Sequence, residues 1–239
     1  MKGSRVFLIM LACAFSISAC GVYFPRIPKS IKNSFTYRYE VKYSGIDTLI
    51  NIDGYYREMS VYEKSRIVGG FLKETLIHYV DTFYSHFMFY DNGIFVNNIR
   101  DVYYDDNKKV WIKKDVASFL KDFGENSKAP GANYFYENSW GGYIICGDTI
   151  KVQGMYKARS LNDSWHLRED WYKIIDKNTI IRINAFNLPT TQISQPKNRT
   201  SPPIIFFPIS IKPPPDKSWI LKEKWFWCNE EKWKEYQNK

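Results

Sequence analysis

The chain has 239 residues, 34 basic against 25 acidic side chains, a formal net charge of +9 and 18% aromatic residues. A basic, aromatic-rich chain invites a nucleic-acid reading. Its charges are interleaved, however, with seven basic and six acidic residues alternating between Arg100 and Lys128, which describes a solvated surface rather than a phosphate track.

In chain order, Lys2 and Arg5 precede the apolar run Val6 to Phe15, long enough for a signal-peptide core and too short to span a bilayer. The run closes on Ile17-Ser18-Ala19-Cys20, which resembles the lipobox of bacterial lipoproteins. The resemblance implies that residues 1–19 are a lipoprotein signal peptide cleaved between Ala19 and Cys20. Cys20 would then carry acyl chains of the palmitate kind, and the processed chain would hold a charge of +7 after loss of Lys2 and Arg5. It also implies a bacterial cell-envelope location without nucleic-acid partners. Gly21, in place of Asp, points to the outer membrane, and the lack of an acidic run behind Cys20 to a domain facing the periplasm. Residues 20–33 read as a lipidated tether kept extended by Pro25 and Pro28. Arg26, Lys29 and Lys32 follow the anchor with no acid among them. They are either a membrane-surface contact or an ordinary solvated tether.

From residue 34 the pattern is β. Phe35 to Tyr43 alternates apolar and polar residues without a break, as a strand with one wet face does. Ile52 to Tyr56 opens a second strand. Phe83 to Tyr90, Asp91-Asn92-Gly93 and Ile94 to Val96 form a hairpin signal, since glycine accepts positive φ at little cost. Val102 to Tyr104 and Val110 to Ile112 form a second hairpin around Asp105 to Lys109. Asp115 to Phe123 is the one short helix expected, with Val116, Phe119, Leu120 and Phe123 on one face. The loop at Pro130 and Gly131 follows, then hairpins at Tyr143–Tyr156 and Asp170–Ile183. Gly69-Gly70 lacks the lysine and spacing of a phosphate loop.

Eight of the 28 residues from Leu188 to Pro215 are proline, so residues 188–216 read as an extended excursion rather than a central strand. Its apolar island, Ile204 to Phe207, is an edge strand or a plug. Residues 217–239 supply a closing strand, Trp219 to Trp227, and a polar tail that frays or forms a helix. Cys146 and Cys228 remain after processing; they form a disulfide, permitted in an oxidising compartment, or stay as two separate buried thiols.

The segments Ile52 to Tyr56, Phe89 to Gly93, Trp140 to Ile150 and Trp171 to Thr179 resemble those of lipocalin-like envelope lipoproteins of Bacteroidetes-type bacteria. The resemblance covers about residues 50 to 183 and rests on turn chemistry, without the Gly-x-Trp of classical lipocalins in the first strand. It implies a mainly β fold over residues 34–187. This would be an antiparallel meander forming a barrel or half-barrel, with one short helix and the Pro-rich excursion.

Little points to catalysis. His78, His86 and His166 lack metal-ligand spacing, and there is no Gly-x-Ser-x-Gly elbow; no catalytic residue, metal or cofactor is expected. Aromatic residues either fill the core or line a ligand site, and Trp140, Tyr143, Trp165 and Trp171 are the candidate ligand contacts. The expected function is a membrane-anchored, non-catalytic lipoprotein binding a small apolar ligand or an envelope protein. The alternatives are a structural or assembly subunit of an outer-membrane complex and, third, an envelope hydrolase with two convergent carboxylates.

Overall fold

Short turns between β-branched and aromatic runs leave each strand beside its successor in sequence, and this alone generates most of the architecture. The computed structural model describes residues 27–40, 44–70, 73–105, 107–137, 140–157, 165–188, 192–193 and 201–238; the cleavage and lipidation positions, Ala19 and Cys20, lie outside them. The strands are β1 (Gly54–Gly70), β2 (Lys73–Phe89), β3 (Ile94–Ile99), β4 (Val102–Asp105), β5 (Val110–Lys113), β6 (Trp140–Cys146), β7 (Thr149–Lys157), β8 (Trp165–Asp176), β9 (Thr179–Leu188), β10 (Gln192–Ile193) and β11 (Ile204–Pro208). The helices are α1 (Lys29–Ser34), α2 (Val116–Glu125), α3 (Ala132–Tyr136) and α4 (Glu230–Gln237).

Strands β1, β2, β3, β6, β7, β8, β9 and β11 pair antiparallel in that order, and β11 returns to β1. The result is a closed eight-stranded up-and-down barrel, which satisfies every strand edge around its girth. The lipocalin-like expectation for the fold is therefore met. Gly93 and Gly147, at φ +85° and +63°, make the tight reversals before β3 and β7.

Period two sorts the side chains. Tyr56, Phe87, Phe89, Phe95, Tyr143 and Tyr172 are buried in one cluster with Ile150, Val152, Ile180 and Ile204. Ring centroids of Phe87–Tyr172, Phe89–Phe95 and Phe89–Tyr143 lie 5.2 to 5.5 Å apart. These rings pack against one another inside the barrel. A 3₁₀ turn, Ile46–Thr48, closes one end with Ile46, and Ile50 follows it. Further along the lumen Arg182 donates to Glu58 at 2.5 Å and lies 3.4 Å from Asp170, whose carboxylate also meets Arg168 at 2.8 Å.

Alternate residues on β2, β3 and β6 face outward, where Met88, Ile94, Val96 and Trp140 pack under α2, α3 and the C-terminal turns. Helix α2 is where the sequence places it: Asp115 caps it by accepting from Ser118 N–H at 2.9 Å, and Val116, Phe119, Leu120 and Phe123 are buried.

Several expectations fail for identifiable reasons. Phe35 to Tyr39 keeps its alternation, with Phe35 and Tyr39 buried and Thr36 and Arg38 exposed, but it lies across the barrel wall as a strap. Its Thr36 and Tyr37 amides donate to the Gln153 side chain at 2.7 and 3.2 Å. The Tyr37 carbonyl sits where a Cβ on Gly142 would fall. Residues 41–43, the rest of that expected strand, lie outside the described residues. The last part of the expected tether is folded too: α1 buries Ile31, and Lys32 pairs with Glu223 at 3.5 Å.

The expected closing strand Trp219–Trp227 is a pair of 3₁₀ turns, Trp219–Lys222 and Lys224–Phe226, touching Tyr39 through a single bridge. The strand that closes the barrel is instead Ile204–Pro208. Prolines 202, 203 and 208 fall at its margins, and the amides between them remain free to pair. The polar tail forms α4, capped by Asn229. Cys146 and Cys228 are free, and both are exposed rather than buried. Cys146 ends β6 at the tip of its hairpin, whereas the Cys228 amide is tied to the Tyr39 carbonyl.

Hairpin β1–β2 is much longer than the sequence reading foresaw. Its strands pair continuously from Tyr56–Phe87 to Gly70–Lys73, while β11 covers only Gly54–Arg57 and β3 pairs only with His86–Phe89. The hairpin therefore projects as a two-stranded arm beyond the closed part of the barrel.

Candidate functional site

The connection between β3 and β6 leaves the barrel and builds its own small structure from β4, β5, α2 and α3. Tyr103 and Tyr104 are adjacent on β4, so period two sends them to opposite sides. Tyr103 is buried against Phe119 and Phe123, with ring centroids 4.8 and 5.3 Å away. Tyr104 faces solvent and meets Trp111, its cross-strand partner on β5, at 5.2 Å. Trp111 is 66% exposed, an unusual state for so large an apolar ring.

A concave site of about 440 Å³ opens between this hairpin and the loop Lys128–Gly131. Tyr103, Tyr104, Trp111 and Tyr134 line it together with Asp105 and Asn133. The loop comes this close because residue 131 is glycine: it adopts φ +87°, and a Cβ there would stand 2.5 Å from Tyr103 Cβ. Arg100 also lines the site, its guanidinium 5.0 Å from the Tyr134 ring. Asp105 is 1% exposed. Its Oδ1 accepts from the Asn107 and Lys108 amides at 3.0 and 3.2 Å, fixing the turn, while Oδ2 has no partner among the described residues.

A second hollow of about 270 Å³ shares Arg100, Val102 and Trp111 with the first. It continues to Phe83, Tyr84 and His86 at the root of the β1–β2 arm. His86 Nδ1 lies 3.2 Å from the Ile99 carbonyl, and burial pushes the ring's pKa down. The two hollows form one aromatic groove with Trp111 as its ridge.

The four tryptophan and tyrosine candidates from the sequence do not converge. Trp140 is fully buried on the outer wall, its indole N–H donating to the Phe135 carbonyl at 2.9 Å. Tyr143 is inside the barrel; its hydroxyl donates to the Tyr90 carbonyl and lies 2.7 Å from Ser44 Oγ. Trp165 packs on Trp219 at 5.5 Å. Trp171 sits on β8 against Phe186 at 5.3 Å, under Lys151 at 4.0 Å. Trp140 and Tyr143 are core residues, and the other two belong to a different wall. The missed residues are Arg100, Tyr104, Asp105, Trp111 and Tyr134. Their sequence signal is the Tyr103-Tyr104 pair, of which a strand can bury only one, and a tryptophan set among Lys108, Lys109, Lys113 and Lys114.

Glu58 and Asp170 are convergent carboxylates, but Arg182 stands between them and both are buried. Burial raises the Glu58 pKa, and the Arg182 guanidinium opposes that shift. The arrangement is an internally paired charge layer in the barrel. Among the described residues no three His, Cys, Asp or Glu side chains gather as metal ligands, and no helix is long and apolar enough to cross a membrane. No protein-family model matches this chain, and comparison with curated proteins and with solved structures finds no match either.

Proposed function

We propose that this protein is a non-catalytic binding module of the bacterial envelope, held at the outer membrane by acyl chains on Cys20, and that it binds its ligand in the groove astride Trp111. The observation that carries this reading is the exposed Trp111 ring between two adjoining hollows, on a hairpin held by Asp105 and backed by Tyr103. Concave, partly aromatic sites with a few placed polar groups are where proteins take small ligands. An apolar ligand inside the barrel is less favoured, because aromatic side chains occupy the lumen at the level of Phe87 and Tyr172. Docking of an assembly partner on Ile204 to Phe207 is also less favoured, since that segment is a barrel strand with Ile204 fully buried.

Ligand-observed NMR of the detergent-solubilised full chain against a mixed library of saccharides, amines, aromatic acids and short fatty acids tests the groove. At least one class should bind, and its signal should vanish in Trp111→Ala. Hits that all survive this substitution, or no hits, reject the groove. An intact mass of the host-expressed protein tests the anchor: acylation should be present in the native chain and lost in Cys20→Ala.

A further inference from the structure

Resting on the groove reading above, we infer that the ligand is a saccharide, with a pyranose ring stacked on Trp111 and its hydroxyls bonded by the polar groups around Asp105. The lining restricts the chemistry. An acyl chain or other purely apolar ligand would bury Arg100, Asn107 and Asn133 beside it without bonding them, each at a desolvation cost. An organic cation would find aromatic faces and the carboxylates of Asp105 and Asp101, but these are matched among the described lining residues by Arg100 and Lys128, which leaves no excess negative charge to hold it. A nucleic acid needs a continued basic track, and among the described residues the groove lining offers two cations, Arg100 and Lys128.

A sugar matches both halves of the lining. One face of a pyranose presents C–H groups to an aromatic plane, and its rim presents hydroxyls that both donate and accept. Donors to that rim are available from Arg100, Lys128, Asn107 and Asn133, and the side-chain amides of Asn107 and Asn133 also accept. The second hollow, carrying Tyr84 and His86 on the other side of Trp111, gives room for a further ring, so a short oligosaccharide is favoured over a monosaccharide.

Isothermal titration of the detergent-solubilised full chain with maltotriose, chitotriose and trigalacturonate tests this. At least one should bind with a dissociation constant on the order of a millimolar or tighter. Trp111→Ala should weaken that binding about 10-fold or more, and Trp171→Ala, on another wall, should leave it unchanged. Asn133→Ala, which removes one polar group of the lining, should weaken the same sugar about 10-fold. Absence of binding by all three sugars overturns the inference, as does binding that survives Trp111→Ala. If the NMR library still gives Trp111-dependent hits of another class, only the saccharide assignment falls. If it gives none, the groove falls with it.

Discussion

The barrel lumen and the groove use the same residue types in opposite ways. Inside, Tyr56, Phe87, Phe89, Phe95, Tyr143 and Tyr172 satisfy one another ring against ring and leave no face open. On the β4–β5 hairpin, Tyr104 and Trp111 meet edge to face, and among the described residues this is the one ring contact of either, while both stay exposed. An aromatic in the first setting is held by everything around it. In the second it is free to gain contacts, and only a ligand can supply them. Aromatic content therefore does not locate a site; an aromatic residue without a packing partner does.

Substitutions should separate the two settings sharply. Phe87→Ala, in the lumen, should lower unfolding stability by about 3–5 kcal/mol, measured as an earlier urea midpoint. Loss of less than about 1 kcal/mol would mean the lumen is not closely packed. Arg182→Met should cost about 3 kcal/mol by stranding Glu58 and leaving Asp170 with Arg168 alone. Adding Glu58→Gln and Asp170→Asn should recover part of that loss, and no recovery would refute the charge-pairing account. Asp115→Ala, which removes the α2 cap beneath the groove, should cost about 1 kcal/mol. Trp111→Ala should fall within about 0.5 kcal/mol of the parent; a large loss would make it a core residue and break the contrast.

A pH dependence sharpens the same picture at the barrel end. The Lys212 ammonium donates to the carbonyls of Ile52 and Phe89 at 2.6 and 2.7 Å and lies over Tyr90 at 4.4 Å, and burial lowers its pKa to about 8. In the unfolded chain it holds its proton to about pH 10.4. Between these values the unfolded state binds more protons, so this group makes stability rise with pH from about 8 towards 10. Lys212→Met should remove that rise in denaturation curves taken across the window. Above pH 10 the buried tyrosines reverse the trend. Burial raises the pKa of Tyr56 and Tyr172 in the fold, so the folded state keeps protons that the unfolded chain releases.

Much of the barrel was legible because its turns are local. Asp91-Asn92-Gly93, Gly147-Asp148 and Asp176-Lys177-Asn178 each join strands that pair directly, so sequence neighbours become spatial neighbours. The α2 face and its Asp115 cap were legible for the same reason. What escaped depends on distant partners. The Phe35–Tyr39 pattern is the same for a strand and for a strap whose amides find Gln153. Trp219–Trp227 has aromatics enough for a strand, yet its indoles reach carbonyls such as Leu221 instead. Ile204–Phe207 read as an edge strand or a plug because of its prolines, but they fall at the strand's margins and it pairs on both sides. The groove was hidden because a ridge between two hollows is made by a loop, a hairpin and the foot of an arm that sequence does not place together.

The closing pair, Gly54 with Pro208, joins nearly opposite ends of the folded region. Synthesis runs from the N-terminus, so seven strands exist before the eighth is available, and until then β1 and β9 are bare edges. Those edges are templates for pairing with other chains. A barrel sealed by a late, proline-flanked strand thus has a dangerous interval built into its birth, and long-range closure is slow as well. Loss of the last forty residues would not merely trim such a molecule; it would leave it permanently unzipped.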